Sequence, residues 1–330
     1  MPAVSVVMPA YNAASTIASA IESIILQTLT DWELILIDDG STDHTAAIIS
    51  EVADSRIRLY RTANRGIARA LNFGIKLSRG RFIARMDADD ISHSERLHQQ
   101  ANFLKNHPHV GVVSSLVAYA GDRTTSEGYA YHVEEINKLM THEQMHARRF
   151  QDAPVAHPSV MYRKQLVGLY GGYHEGGLPE DFELWLRWMS CNVSFAKLPD
   201  YLLSWTDHAT RLSRTSTHYD EDRFHQVKAR YLAAYLKKLP AIPRIWVWGT
   251  GKLVNRQVAF LKQAGIDIEK YIDVIPHSEA HFIHYKDIPT AVNTGILILS
   301  YVKDRKGKID IHDFLISRGY CEGSDFFFMN

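Results

Sequence analysis

The sequence contains only two cysteines, Cys191 and Cys321, among 330 residues. This excludes a scaffold held together by disulfides and a zinc site built from several cysteines. It also has no excess of charge of one sign, because 37 basic residues (Lys and Arg) balance 37 acidic residues (Asp and Glu). This balance disfavours a protein that binds nucleic acid through a strong overall positive charge, so we expect no nucleic-acid partner.

Long apolar runs are missing as well. No stretch of the sequence approaches the ~18 consecutive apolar residues that cross a bilayer. The first residues, Met1-Pro2-Ala3-Val4, do not begin the basic and then apolar pattern of a signal peptide. We therefore expect a cytoplasmic protein and leave open a peripheral contact with the inner face of the membrane. The length of the chain favours about two domains.

Strand and helix patterns alternate in the first third of the chain. Apolar runs typical of buried strands are separated by segments that carry apolar residues at helical spacing. Strands are predicted over residues 4–8, 32–37, 57–60 and 82–86, and helices over residues 16–29, 44–52, 66–77 and 95–105. This order predicts an α/β fold with an open parallel sheet and helices on both of its faces.

Three polar clusters lie where predicted strands end. They cover residues 9–12, 38–39 and 87–90. Ligands of open α/β sheets bind beyond the carboxyl ends of the strands. We therefore expect these clusters, although distant in sequence, to meet along one edge of the sheet.

The last of these clusters places three carboxylates, Asp87, Asp89 and Asp90, within four residues. If the backbone from Asp87 to Asp89 is extended, their two side chains share a face. A divalent cation with a diphosphate ligand would offset the repulsion between the carboxylates, since Mg²⁺ prefers oxygen ligands. The alternative is a solvated acidic turn that caps the helix beginning near Ser94. The position at a strand end favours the functional interpretation.

The middle of the chain gives a more mixed pattern. A strand is predicted over residues 110–119, a helix over 134–149 and a short strand over 157–162. Residues 179–181, with the sequence Pro-Glu-Asp, are typical of a helix start. Proline fits the first turn of a helix, and acidic side chains are stabilised there. This helix is predicted to continue to Met189.

A domain boundary is predicted between residues 239 and 240, because Pro240 and Pro243 lie close together and end the preceding helix. Residues 1–239 and 240–330 then form a larger and a smaller α/β domain. In the smaller one, Gly249-Thr250-Gly251 is a truncated form of a dinucleotide-binding turn. We favour a Rossmann-like packing domain without a ligand over an NAD-dependent enzyme.

The helix predicted over residues 220–238 carries basic residues interleaved with Tyr and Leu. Such a helix could rest on an anionic membrane surface. The alternative, which we favour, is an ordinary helix packed against the rest of the protein.

Several motifs in the chain resemble those of family 2 glycosyltransferases. They cover residues 4–12, 27–28, 32–43, 64–72, 84–90, 157–161 and 180–185. The resemblance extends over roughly residues 3–215 and is specific, because the motifs occur in the right order at plausible spacing. It implies a GT-A fold, with a Rossmann-like mixed sheet and helices on both faces. It also implies an inverting transfer of a sugar from a nucleotide-activated donor, most often a UDP-sugar.

The resemblance implies roles for individual acidic residues. Asp39 matches the position that hydrogen-bonds the nucleotide base. Asp89 matches a metal ligand, and Asp87 a ligand of the ribose or the metal. Asp181 matches the general base, with Glu180 as its rival within the chain.

Other positions match the nucleotide-sugar site or could reach a phosphate from nearby. They are Pro9, Tyr11, Asn12, Arg65 and Arg69. His208 resembles a position that approaches the diphosphate or the metal. Leu71 is a departure, since family members often carry arginine before the asparagine of the third helix. A Gln-x-x-Arg-Trp motif is not evident after the general-base position, which disfavours a processive, cellulose-synthase-like activity.

The implied reaction depends on Mg²⁺ or Mn²⁺ and transfers the sugar to a hydroxyl of a glycan or a lipid-linked acceptor. The implied context is the biosynthesis of a bacterial surface polysaccharide. The alternative function is a non-catalytic subunit that keeps the fold and binds a nucleotide-sugar or assists assembly. The sequence leaves the oligomeric state open.

Overall fold

A computed structural model describes residues 1–124, 126–207, 211, 216–292 and 294–330. The chain divides into two compact units. The first comprises Met1–His142 and Val155–Thr215, and the second comprises Glu143–Pro154 and Ser216–Asn330. The second unit resumes at Ser216, so residues 216–239 lie in it. The domain boundary predicted between residues 239 and 240 stays a prediction.

The first unit alternates strands and helices over its first hundred residues. Its elements up to that point are β1 (Val4–Ala10), α1 (Ile17–Ile25), β2 (Trp32–Asp38), α2 (Thr45–Ser50), β3 (Ile57–Arg61), α3 (Ile67–Leu77), β4 (Phe82–Arg85), β5 (Ile91–Ser92) and α4 (Arg96–Asn106). The remaining elements are β6 (Val110–Ala120), α5 (Glu127–Lys138), β7 (Met161–Arg163), α7 (Gln165–Tyr170), α8 (Glu180–Ser190) and β8 (Ser194–Thr206). Helix α6 (His142–Ala147) lies between α5 and β7 in sequence and, apart from His142, belongs to the second unit. The predicted strand and helix order of the first third is confirmed.

The strands of this unit form one eight-stranded sheet in the order β3-β2-β1-β4-β7-β6-β8-β5. Strands β1 to β4 pair in parallel, as predicted. The mixed sheet that the resemblance implies is confirmed, because β7 pairs antiparallel with both β4 and β6. Antiparallel neighbours need no crossover helix, and a three-residue strand such as β7 carries no sequence signal of its direction. The sheet is therefore mixed.

Every residue of β1, β2 and β4 is buried. Buried strands of this kind are covered on both faces, and α1 covers part of one face with Ile17, Ala20, Ile21 and Ile24. At the carboxyl edge, the backbone N–H of Asp39 donates to the carbonyl of Ala10 over 2.9 Å. The loops that leave β1 and β2 are thereby held together.

Two predicted elements in the middle of the chain are wrong. The helix predicted over residues 134–149 is divided, because Leu139 leaves the helical conformation (φ −84°, ψ 91°) and α5 ends before it. Just before that end, the side chain of Asn137 binds the N–H and the carbonyl of Val117 in β6. The strand predicted over 157–162 begins only at Met161, after a 3₁₀ turn at His157–Ser159 that contains a proline. Proline has no N–H to donate to a strand ladder.

The second unit contains a five-stranded parallel sheet in the order β11-β10-β9-β12-β13. Its elements are α9 (Glu221–Leu236), β9 (Arg244–Trp248), α10 (Lys252–Gln263), β10 (Ile268–Asp273), β11 (Phe282–His284), β12 (Ile296–Ser300), α11 (Arg305–Ser317) and β13 (Phe326–Phe328). The prediction of a second, smaller α/β sheet at the C-terminal end of the chain is confirmed.

Helix α9 packs within this unit. Its Leu232 and Leu236 are buried, and so is the basic Lys228. The ammonium of Lys228 donates to the carbonyls of Gln151 and Met329 over 2.9 and 2.8 Å. This side chain is therefore turned into the protein rather than towards a surface. Within the described part of the chain, no helix is both long enough and apolar enough to cross a membrane.

Two glycines in helices of the first unit provide a matched test of this packing. A Cβ at Gly74 in α3 would lie 2.5 Å from Cγ1 of Val7 in β1, whereas a Cβ at Gly168 in α7 would meet nothing within 4 Å. We expect Gly74→Ala to destabilise the protein by about 1–3 kcal/mol through overpacking. Gly168→Ala should be neutral or stabilise by about 0.4–1 kcal/mol.

Thermal and urea unfolding of the intact chain would measure both effects. Equal stability of the two variants would contradict the close packing of α3 on β1.

Candidate functional site

The loops that follow β1 and β2 are bonded to each other at the carboxyl edge of the first sheet. The N–H of Asn12 donates to the hydroxyl of Ser41 over 2.9 Å, and Oδ1 of Asn12 accepts the N–H of Thr42 over 2.8 Å. Pro9 is the penultimate residue of β1 and is buried, whereas Tyr11 is exposed beyond the strand. The expectation that these sequence-distant clusters meet along one edge is confirmed.

The carboxylate of Asp39 organises the loop before α3. It accepts hydrogen bonds from the hydroxyl of Thr62 (3.0 Å) and from the backbone N–H groups of Arg65 and Gly66 (3.0 and 2.8 Å). The side chain itself is only 5 % exposed. Asp39 therefore fixes the backbone on one side of the loop and leaves little of its carboxylate free for other donors.

A cavity of about 550 Å³ lies beside Asp39, along the outer face of α3. Arg65, Arg69 and Asn72 line it, together with Glu175 from the loop before α8. Nε of Arg69 donates to the carboxylate of Glu175 over 3.0 Å. The two arginines predicted to be near a phosphate therefore share one cavity with Asp39.

The acidic cluster after β4 is compact. One oxygen from each of Asp87, Asp89 and Asp90 lies within 4.8 Å of the others. Asp90 is fully buried; its Oδ1 accepts the N–H of Thr206 over 2.8 Å, and its Oδ2 has no hydrogen-bond partner among the described residues. Burial, followed by the charges of Asp87 and Asp89, raises the pKa of Asp90 well above its usual value. These oxygens fit a divalent cation, because a cation would offset both the burial and the mutual repulsion.

A buried arginine that was not predicted as part of the site lies under this cluster. Arg85, the last residue of β4, is 3 % exposed and forms an ion pair with Asp87. Burial lowers the pKa of Arg85, but the Asp87 carboxylate outweighs this effect and raises that pKa above its usual value. Arg96 of α4 holds the same strand end by donating to the carbonyl of Arg85 over 2.7 Å. A charged residue inside an otherwise apolar strand is the signal that could have identified Arg85.

The helix start at Glu180 and Asp181 forms as predicted. Helix α8 begins at Glu180, and both carboxylates lie in its first turn. Glu180 is 4 % exposed, with one carboxylate oxygen 3.9 Å from Nδ1 of the buried His157. Asp181 is only partly buried, and its Oδ1 accepts the N–H of Phe182 over 2.7 Å. Of the two acids, Asp181 is therefore the more accessible to a substrate.

One buried tyrosine, Tyr173, lies within electrostatic reach of Arg85 at the end of β4 and of the two acids that begin α8. Burial, followed by Tyr162, raises the pKa of Tyr173 well above its usual value, and Glu180 and Asp181 raise it further, whereas Arg85 lowers it. The structure therefore brings the end of β4 and the start of α8 to the same region of the first unit. His208, predicted to approach the diphosphate or the metal, lies outside the described residues.

The glycine turn of the second unit holds an acidic residue in contacts of its own. The carboxylate of Asp273, at the end of β10, accepts the hydroxyl of Thr250 over 2.6 Å and lies 2.8 Å from Nε2 of His277. It also accepts the N–H of Val274 over 2.6 Å. These contacts hold the carboxylate beside the glycine turn, and the packing role of this unit stays a prediction.

Comparison with solved structures shows the fold. The S. aureus TarS fragment 1–349, in a crystal structure with UDP-GlcNAc, aligns with a TM-score of 0.58 and 19 % sequence identity. The alignment covers 80 % of this chain and 71 % of that one. The predicted GT-A fold is confirmed.

Comparison of sequences shows the family. The chain is 31 % identical over 253 residues to the putative glycosyltransferase EpsE of Bacillus subtilis, covering 74 % of this chain and 87 % of that protein. It is 44 % identical over 105 residues to the Escherichia coli UDP-Glc:α-D-GlcNAc-diphosphoundecaprenol β-1,3-glucosyltransferase WfgD, covering 31 % and 42 % of the two chains. A family model described as glycosyl transferase family 2 matches residues 5–170. The chain therefore belongs to glycosyl transferase family 2 and is a glycosyltransferase.

Proposed function

We propose that this enzyme transfers a sugar, with inversion and with the help of a divalent metal, from a nucleotide-sugar donor to a hydroxyl acceptor. A UDP-sugar is the favoured donor. The observation that carries the proposal is the acidic cluster at the carboxyl edge of the first sheet. Three carboxylates lie within 4.8 Å of one another, and one of them is buried with an unbonded oxygen, so a divalent cation beside them would be strongly favoured.

Asp89 is the proposed main ligand of the metal, with Asp87 as a second ligand or as a contact to the ribose. Asp87 also pairs with Arg85, so the guanidinium would compete with the metal for its carboxylate. Mg²⁺ and Mn²⁺ both suit such oxygen ligands. When bound, the metal supplies Lewis-acid stabilisation of the charge that develops on the leaving diphosphate.

Asp39 is the proposed partner of the nucleotide base. A carboxylate offers about four lone-pair positions, and the loop before α3 already takes most of those on Asp39. The remaining position suits a single N–H donor, such as the ring N–H of uracil. Pro9, Tyr11 and Asn12 are proposed to complete the nucleotide site from the neighbouring loop. Arg65 and Arg69 line the same cavity as Asp39 and are proposed to place positive charge near a phosphate of the donor.

Asp181 is the proposed general base. It would take the proton from the acceptor hydroxyl as that oxygen attacks the anomeric carbon from the face opposite the diphosphate. The transition state is oxocarbenium-like, by analogy with glycoside hydrolysis. Glu180 is the weaker candidate because its side chain is buried beside His157.

The acceptor class is proposed from a relative. The name of the E. coli relative gives UDP-glucose as donor, α-D-GlcNAc-diphosphoundecaprenol as acceptor and a β-1,3 linkage. We extend this to a glycan or lipid-linked acceptor in the biosynthesis of a bacterial surface polysaccharide. An acceptor on a lipid would place the enzyme in the cytoplasm, in peripheral contact with the inner face of the membrane.

The donor site is tested by thermal stability with UDP, with and without Mn²⁺, in the wild type and in Asp89→Asn. At about 100 times its Kd, a ligand should stabilise the wild type by about 2.7 kcal/mol. We expect this stabilisation to require Mn²⁺ and to be lost in Asp89→Asn, which removes a metal ligand.

A matched control is Asp200→Asn, since Asp200 is exposed on β8. This variant should behave like the wild type. A UDP effect that survives in Asp89→Asn, or the absence of any effect with UDP, GDP or dTDP, would contradict the proposed site.

The general base is tested by Asp181→Asn. This variant should bind UDP like the wild type but lose transfer by about 10²–10⁴-fold, the usual contribution of general-base catalysis. Release of UDP from a panel of UDP-sugars, with a diphospho-lipid acceptor, would measure transfer.

Glu180→Gln is the comparison for this test. Full activity in Asp181→Asn together with loss in Glu180→Gln would move the base to Glu180. Nucleotide binding without transfer in the wild type would favour the alternative function, a non-catalytic nucleotide-sugar-binding or assembly subunit.

A further inference from the structure

The loop between α7 and α8 ends just before Glu180, the neighbour of Asp181. The side chain of Asn72, in α3, is hydrogen-bonded to the backbone of this loop. Asn72 accepts the N–H of Tyr173 on its Oδ1 over 2.9 Å and donates from its Nδ2 to the carbonyl of the same residue over 2.8 Å. An amide side chain paired with both polar groups of one residue fixes the direction of the backbone there. The two residues are 101 positions apart in sequence.

The side chain of Tyr173 is held as firmly as its backbone. Its hydroxyl lies 2.7 Å from Nε2 of His157, and the tyrosine ring is 4 % exposed. The other ring nitrogen of His157 faces Glu180 at 3.9 Å. Tyr173 therefore contacts His157, which lies beside Glu180, the first residue of α8 and the neighbour of Asp181.

Helix α8 secures the beginning of the same loop. The guanidinium of Arg187 donates to the carbonyls of Gly171 (3.0 Å) and Gly172 (2.5 Å), and the indole N–H of Trp188 donates to Gly171 over 3.2 Å. The loop is therefore tied to the body of α8 at its start. Asn72 attaches the same loop to α3 through its hydrogen bonds with Tyr173.

The helix that holds the loop also lines the cavity beside Asp39. Asn72 and Arg69 both line this cavity, and both bond to Glu175, over 3.1 and 3.0 Å. The residues next to the proposed nucleotide site are therefore the residues that hold the loop leading to the proposed base.

We propose that Asn72 is a positioning residue, which sets the placement of Asp181 by clamping Tyr173 to α3. The inference rests on the proposed function, since it concerns the base of that reaction. Asn72 acts through Tyr173 and His157, so its removal should change the rate of the chemical step more than the binding of the nucleotide.

Kinetics of Asn72→Ala test this division. Because a displacement of about 1 Å in a catalytic group can cost about 10²-fold in rate, we expect kcat to fall by roughly that factor. The Kd for UDP should change by no more than about 3-fold, the size of one weak hydrogen bond. Tyr173→Phe, which removes only the hydroxyl, should lower kcat by about 3–10-fold.

Asn106→Ala is the matched control, because it is the same substitution at an exposed residue that ends α4, outside the cavity. Its kcat should stay within about 2-fold of the wild type. An unchanged kcat in Asn72→Ala, or a loss confined to the affinity for UDP, would overturn the proposal and leave Asn72 as a wall of the cavity.

Hydrogen exchange separates this proposal from the proposed function, because it needs no activity. In Asn72→Ala, the backbone amides of residues 171–181 should exchange faster than in the wild type at the same folded fraction, and in Asn106→Ala they should not. Unchanged exchange in Asn72→Ala would overturn the clamp even if the wild type is an active transferase. Faster exchange in Asn72→Ala, together with no transfer by the wild type, would support the clamp while the proposed reaction failed.

Discussion

The repulsion between three carboxylates at the end of β4 is the constraint around which the site is arranged. The protein itself offsets part of this repulsion, because Arg85 forms an ion pair with Asp87 and the N–H of Thr206 donates a hydrogen bond to Asp90. The rest is left for a ligand, because an oxygen of Asp90 stays buried without a hydrogen-bond partner among the described residues. A site with three carboxylate groups suits a metal bound with a diphosphate, which is the chemistry we propose.

Much of this arrangement could be predicted from the sequence, because it depends on local patterns. Apolar runs predicted β1, β2 and β4, and the rule that parallel strands end at one edge predicted that their polar ends meet. The bonds between Asn12 and the loop after β2 confirm that meeting. The helix start at Glu180 was also predictable, since proline and acids define a first turn in any context.

What could not be predicted depends on contacts between distant parts of the chain. Asn72 and Tyr173 are 101 residues apart, and no local pattern connects them. The antiparallel direction of β7 is set by its neighbours, since three residues carry no signal of their own. Arg85 was not predicted as a site residue, because a charged residue in a strand indicates a functional contact only once its partner, Asp87, is known to lie beside it.

The central claim is that donor and metal bind together at the carboxyl edge of the first sheet. Crystals grown with UDP and Mn²⁺, measured at a wavelength where manganese scatters anomalously, test it most directly. The account predicts an anomalous peak in coordination with Asp89 and uracil density beside Asp39. A peak away from the acidic cluster, or nucleotide density at the glycine turn after β9, would contradict it.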